Sequence, residues 1–441
     1  MQAMIDKLWL KNRAIISDGF KESLDYIQSR IPINVYKVKS GTKCFDWTVP
    51  KKWNIREAYI EVEGQRILDI ETNPLHVLIG SGPVDKKITL EELLDHIYID
   101  NKSPFSVPYV YEHYDNERWG FCMTNHHVQQ LMSLKDKEFY VKIDADHEDG
   151  ELLIGEYVHI GESAKSIALF AHLDHPAQVQ DGLSGCAVLV DFVENILSQM
   201  KDNYYTYRVI FTPETIGGLA YLSAFPKRMD DIKFGCCLEM VGVPNQELVV
   251  QDAYIPNTEL AEAFKQALRD VRGTDEPVLP YRSVVVNDDG VFNAPGIEIP
   301  TVVLTRSASR ENSDARHYEG YHTTADSALN MSWENMYETL SVLIYAVNIM
   351  ETNVLVKRNY TGIPHLSSHG LWIPRNKDPL MNSKIKEILD KLRDYDVSIL
   401  DLALDTRLKY HVVAEYIGAM EAKGLVKTRR KVIDRGRVIG A

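Results

Sequence analysis

The chain has 441 residues, 45% of them hydrophobic and 25% charged, with a net charge of −14. That length exceeds one simple core and implies two or three domains, while the acidic balance argues against a protein whose main role is gripping nucleic acid. Five cysteines without a C-x-x-C spacing exclude a disulfide framework or a cysteine zinc cluster, and no apolar run approaches the ~18 residues of a membrane span. The opening MQAMIDKLWLKNRAI lacks the apolar stretch of a signal peptide, so a cytoplasmic protein is expected.

In chain order, residues 18–31 carry Phe20, Leu24, Ile27 and Ile31 at helical spacing. From about Asn34 to Asp149 the texture turns to short β patterns. REAYIEVEGQRILDIET predicts two strands around a turn at Glu63-Gly64, and KEFYVKIDADHEDGELLIGEYVHIG predicts another strand pair. ITLEELLDHI predicts a helix capped by Thr89. After Glu162 strands and helices alternate. SIALFAHLD, TYRVIFTPE, FGCCLEMVG and IPTVVLTRS read as strands, and SGCAVLVDFVENILSQM and WENMYETLSVLIYAVNIM as helices, the last capped by Ser332. Alternation of this kind predicts an α/β sheet with helices on both faces, with ligands beyond the carboxyl ends of its strands. After about Lys377 three helices precede LVKTRRKVIDRGRVIG, the pattern of a winged helix-turn-helix.

The residues able to carry chemistry cluster at predicted strand ends. SIALFA runs into HLDHPAQVQDGLSG, which puts His172, Asp174, His175 and Asp181 after one strand. Imidazole with carboxylate suits zinc, and Asp174 is positioned to orient the His172 ring. Glu214, in FTPETIGG, follows a second strand and has the character of a general base. His322, in YHTTAD, follows the strand IPTVVLTRS and a polar loop. Taken singly, each has a plainer reading: a polar loop, a carboxylate at a helix start, a loop histidine. The interest lies in their joint position on one sheet.

HLDHPAQVQDGLSG, PETIGG, EMVG and YHTTAD, in that order, resemble the co-catalytic zinc aminopeptidases. More closely, HLDHP, DGLSG, PETIG, YHTTAD, WNIREAYI and WGFC resemble an aminopeptidase-like bacterial family often encoded among polysaccharide-biosynthesis genes. The resemblance covers nearly the whole chain. It implies a zinc-aminopeptidase-like mixed sheet flanked by helices, formed by residues 1–35 and 150–375, an inserted β-rich domain over 36–149, and a winged helix over 376–441. It implies His172, Asp181 and His322 as metal ligands and Glu214 as the base. Two departures bear on the ion count: Thr215 stands where the two-zinc enzymes have a ligand glutamate, and Glu239 where they have an aspartate. One zinc is therefore expected, with Glu239 as an extra ligand or a plain strand-end carboxylate. Arg306 is a candidate for pairing with a substrate carboxylate, or for an ordinary ion pair with Asp288 or Asp289. Asp288 is a candidate for holding a substrate amine or backing a histidine, and Tyr321 for lining the substrate site. The insert reads as a wall that narrows the cleft.

The expected function is zinc-dependent hydrolysis of amide bonds in small peptides or aminoacyl conjugates. A rival of the same class is a zinc amidase or deacylase acting on a modified sugar or amino acid. A rival of another class is a ligand-sensing DNA-binding regulator, suggested by the basic stretch KTRRKVIDRGR. The winged helix is expected to pack against the rest of the protein or a second subunit rather than nucleic acid.

Overall fold

The computed structural model describes residues 1–114, 117–275, 277–306, 317–392 and 396–430. Two compact units emerge, Met1–Tyr254 with Leu279–Leu340, and Ile255–Val278 with Ser341–Ala441.

The first unit is built on a mixed sheet of eight strands among the described residues. Its order is Asn34–Lys39, Glu151–His159, Thr206–Thr212, Ser166–His172, Ile232–Glu239, Thr301–Thr305, Val249–Gln251 and Val278–Leu279. The four central strands run parallel, with His172 level with Thr212 and Glu239 level with Thr305. Every residue of Ser166–His172 is buried, as expected for a parallel strand covered on both faces. Parallel direction brings the carboxyl ends of all four strands to one edge. The helix Leu183–Asn195 follows the first of them.

Between the first two strands of the main sheet in chain order lies a second, antiparallel sheet, ordered Gln65–Asp69, Lys52–Val62, Phe139–Glu148 and Val84–Ile88. The turn at Glu63-Gly64 forms as predicted, with both residues at positive φ (49° and 80°), the geometry that suits a two-residue hairpin. Phe139–Glu148 alternates buried and half-buried side chains, so this sheet has one face on a core.

Two expectations need correction. Phe139–Glu148 and Glu151–His159 do not pair with each other: the first pairs with Lys52–Val62 and Val84–Ile88, the second with Asn34–Lys39 and Thr206–Thr212. The chain changes sheets at Asp149-Gly150, where Gly150 exchanges hydrogen bonds with Ser40. Consequently the main sheet reaches to Lys39, past the boundary expected at residue 35. The chain also forms a helix over Glu259–Arg272, capped by Thr258 and stopped by Gly273 at φ 79°.

In the second unit that helix joins the three expected helices, Pro379–Lys391, Ile399–Thr406 and Tyr410–Ala422. Asp270 accepts from the Tyr410 backbone at 3.1 Å, and Gln266 donates to the Leu408 carbonyl at 3.0 Å. Val354–Arg358 lies between Val397–Ser398 and Val426–Arg430. The described partner of Val426–Arg430 is thus an upstream strand. The second strand expected for the wing falls in 431–441, outside the described residues.

Candidate metal centre

Three parallel strands deliver their terminal residues to a common place. His172 and Glu239 end theirs, and Glu214 follows Thr212 by two residues. Loops bring in the rest. His172 Nε2 lies 3.1 Å from Asp181 Oδ1 and 3.1 Å from His175 Nδ1, and His175 Nδ1 lies 3.6 Å from Asp181 Oδ1. His172, His175 and Asp181 are buried, and their donor atoms all fall within 4.8 Å of one another. The other oxygen of Asp181 is 2.7 Å from His322 Nε2. His175 turns its Nε2 to Glu214 Oε2 at 3.2 Å.

The buried acids and imidazoles shift one another's protonation. Burial alone would raise the Asp181 carboxyl, but His175, His172 and His322 hold it well below the usual range. Burial lifts Glu239 well above it, with the Asp181 and Glu214 charges adding to the rise. One Glu239 oxygen accepts from Asn287 at 2.5 Å, while Oε2 is buried without a hydrogen-bond partner. Orphaned buried carboxylate oxygen beside converging imidazoles is the chemistry of a divalent-metal site.

The backbone is strained where it serves this centre. Ala177, Thr215, Met240 and His322 all have positive φ, between 51° and 58°, in a region costly for side-chain-bearing residues. Gly182 has φ 89°, and a Cβ there would lie 2.2 Å from His172 Cδ2. Only glycine lets the Asp181 loop lie against the imidazole. Asp326, from the YHTTAD segment, accepts from the backbone N–H groups of Gln180 and Asp181 and from the Tyr318 hydroxyl. The His322 loop therefore also fixes the loop of Asp181.

Arg13 was not anticipated. Its fully buried guanidinium donates to the carbonyls of Leu8, Trp9, Leu173, His175 and Gln178. Burial pulls it down to about 10. Three of those carbonyls belong to the loop carrying Asp174 and His175, so one side chain near the N-terminus holds the metal loop from behind. Arg13→Met would leave five carbonyls short of a donor. It is expected to lower the unfolding free energy by about 3 kcal/mol, measurable as a fall in the urea midpoint; an unchanged midpoint would mean other donors replace it.

The other candidates take distinct places. Asp174 does not meet the His172 ring: it accepts from the Glu214 backbone at 2.8 Å. Asp288 lies behind that ring, 3.7 Å from Nδ1, and accepts from Thr215 N at 2.6 Å. It is 1% exposed, which favours backing the histidine over meeting a substrate amine. Arg306 is the clearest departure. It is 1% exposed and donates to the carbonyls of Val241, Gln246 and Asn335 and to Glu338. Burial ties it into the protein, so it is not placed to pair with a substrate carboxylate, nor does it pair with Asp288 or Asp289. Tyr321 stacks on the His322 ring, centroids 4.0 Å apart. His175 sat in the quoted motif without a role, and its signal was its place three residues after His172.

The profile of a family described as a domain of unknown function, DUF4910, matches residues 2–353. The chain belongs to the DUF4910 family. A Clostridium acetobutylicum protein described as a polysaccharide biosynthesis protein with an aminopeptidase-like domain is 31% identical over 432 residues, 94% of each chain. A crystal structure from the same organism, of a protein assigned as a peptidase, superposes with TM-score 0.85 and 29% identity over 97% of this chain and 96% of that one. A zinc aminopeptidase from Bacillus subtilis superposes with TM-score 0.57 at 15% identity, covering 79% of this chain and 93% of that one. The DUF4910 chain thus has the mixed α/β fold of the zinc aminopeptidases, and these three similar proteins carry aminopeptidase or peptidase descriptions. No helix among the described residues is long and apolar enough to cross a membrane.

Proposed function

We propose that this chain is a zinc-dependent hydrolase of the aminopeptidase type, cleaving amide bonds of small peptides or aminoacyl conjugates in the cytoplasm. The observation that carries the reading is the convergence of His172, His175, Asp181 and His322 beside Glu214, at the carboxyl edge of a parallel sheet and next to an open cavity. His172, His175 and Asp181 would hold one ion, with His322 on the outer oxygen of Asp181 and Glu239 close to hand. Zinc bound there supplies a Lewis acid that polarises the scissile carbonyl and acidifies a water. Glu214 takes the proton of the attacking water at its carboxylate and returns it to the leaving amine. Asp174 and Asp288 fix the Glu214-Thr215 backbone by accepting from successive N–H groups, so the base is held by its main chain. Asp288 also backs His172.

The polysaccharide-biosynthesis description of the C. acetobutylicum relative favours a second substrate class, acylated amino sugars. In the second unit we read a winged helix with a packing role. The helix Tyr410–Ala422 and the residues after it expose Glu415 and Glu421 together with Lys423 and Lys427, and Arg429 is paired with Asp396 at 2.8 Å, a surface of mixed charge rather than a basic one.

The test is metal analysis of the purified protein with a hydrolysis screen of aminoacyl amides and N-acyl amino sugars. About one zinc per chain is expected, with turnover lost to a chelator and restored by zinc. A protein that hydrolyses both panels equally well after chelation would sink the proposal.

A further inference from the structure

We propose that Thr324 is a positioning residue: its hydroxyl pins the His322 loop to Val107, 217 positions earlier in the chain, and so sets where the His322 imidazole stands against Asp181. This deepens the proposed metal centre and rests on that reading for the effect on zinc; the placement of His322 stands apart from it.

His322 needs an outside hold. Its φ is 55°, a backbone region that a histidine keeps only where its surroundings over-determine it. Within the loop, Thr323 donates twice to the Gly320 carbonyl, from its N–H at 3.0 Å and from its hydroxyl at 2.8 Å. The rest comes from elsewhere. Tyr109 N donates to the His322 carbonyl at 2.8 Å, and Thr324 N to the Val107 carbonyl at 2.9 Å. Val107 N returns a bond to the Thr324 hydroxyl oxygen at 3.0 Å. Residues 107–109 and 322–324 thus pair antiparallel, centred on Pro108 and Thr323. Proline has no N–H to give, so the pairing depends on the residues on either side of it. The bond to the Thr324 hydroxyl is the one in this pairing that a side chain carries, so a substitution can remove it and leave the main chain alone.

The upstream segment is a firm support. Val107 and Tyr109 are buried in one core with Val77, Ile79 and Phe121. Ile79 N donates to the Val110 carbonyl at 3.0 Å and Glu112 N to the Ile79 carbonyl at 2.7 Å, which fixes the chain just after Tyr109. The Tyr109 ring carries the support to the donors. Its centroid is 5.1 Å from those of both His175 and His322, at steep angles of 74° and 77°. On the other side Gln178, from the loop of His175 and Asp181, donates to the Thr323 carbonyl at 3.2 Å. His322 Nε2 then meets Asp181 Oδ2 at 2.7 Å. Hydrogen-bonded and packed groups therefore run without a break from the Thr324 hydroxyl to a carboxylate proposed to hold the ion. Groups that orient metal-binding side chains from outside change metal affinity by about 10- to 100-fold when removed.

The test measures zinc affinity of the whole chain by competition with a chromophoric chelator. Thr324→Val keeps the shape and removes the acceptor, and is expected to weaken zinc binding by about tenfold. Thr324→Ala removes the same acceptor and should act alike, while Thr324→Ser keeps the hydroxyl and should restore the affinity. His322 stands on the outer oxygen of Asp181, so His322→Ala is expected to bind zinc more weakly rather than not at all. In that background Thr324→Val should add nothing, because residues that act through one another are not additive. A second readout needs no metal. The ring-carbon NMR signal of His322 in the metal-free, histidine-labelled chain, assigned by its absence from His322→Ala, should shift in Thr324→Val and return in Thr324→Ser. Unaltered zinc affinity in both the valine and alanine variants, or a full valine effect without His322, overturns the inference. A chain that binds no zinc yet shows the His322 shift would defeat the proposed function alone. Zinc binding that Thr324→Val leaves unmoved would defeat the positioning role alone, and neither zinc nor shift would defeat both.

Discussion

Glu214→Gln is expected to retain the metal and lose turnover by roughly 10²-fold or more. The Glu214 side chain borders the cavity and is 29% exposed, with Oε2 facing His175 Nε2. If Nδ1 of His175 faces the metal, its Nε2–H is left to donate to Glu214. Gln can accept that same hydrogen bond through its amide oxygen, so the His175 ring keeps its orientation. What Gln cannot do is take a proton from water. The backbone restraints from Asp174 and Asp288 are untouched, so the geometry should survive. Metal content by mass spectrometry and kcat on the best substrate of the screen are the measurements. Loss of zinc with the substitution would show that Glu214 is a ligand, and unaltered kcat that another group is the base.

Asp181→Asn should fail differently, losing metal and activity together. Each carboxylate oxygen of Asp181 serves a different histidine, His172 on one side and His322 on the other. The amide keeps the shape and halves the oxygen donors, and it removes the charge that balances the cation. If the ion supplies several kcal/mol of transition-state stabilisation, turnover falls at least about 10³-fold. The double contact of Asp181 also makes this variant informative about stoichiometry. Two zincs in the unsubstituted protein, both lost in Asp181→Asn, would make the carboxylate a bridge and revise the single-ion reading. A variant that keeps its zinc and its turnover would exclude Asp181 from the centre.

Much of the site could be read from residue order because its groups fall at strand ends. Once SIALFAH, TYRVIFT and FGCCLE are recognised as buried strands, His172, Glu214 and Glu239 must emerge at one edge if the strands are parallel. Asp181-Gly182 follows the same logic, since only a glycine tolerates the turn against His172. The helix Glu259–Arg272 was equally legible, with its Thr258 cap and Gly273 stop, but its apolar face is covered by segments of the second unit far away in sequence.

The sequence by itself determined the local elements, the changes of texture along the chain, and which residue types stand after which strands, because periodicity and turn chemistry act over a few residues. Only the tertiary structure decided who meets whom. It seated His175 among the donors, moved Asp174 from the His172 ring to the Glu214 backbone, locked Arg306 into the interior, and sent Arg13 across 160 positions to the Leu173 carbonyl. It also sent Glu151–His159 to a different sheet from Phe139–Glu148. Those outcomes depend on strand order and on which buried polar group finds a partner across the fold, and a pattern that repeats every two or four residues carries no information about either.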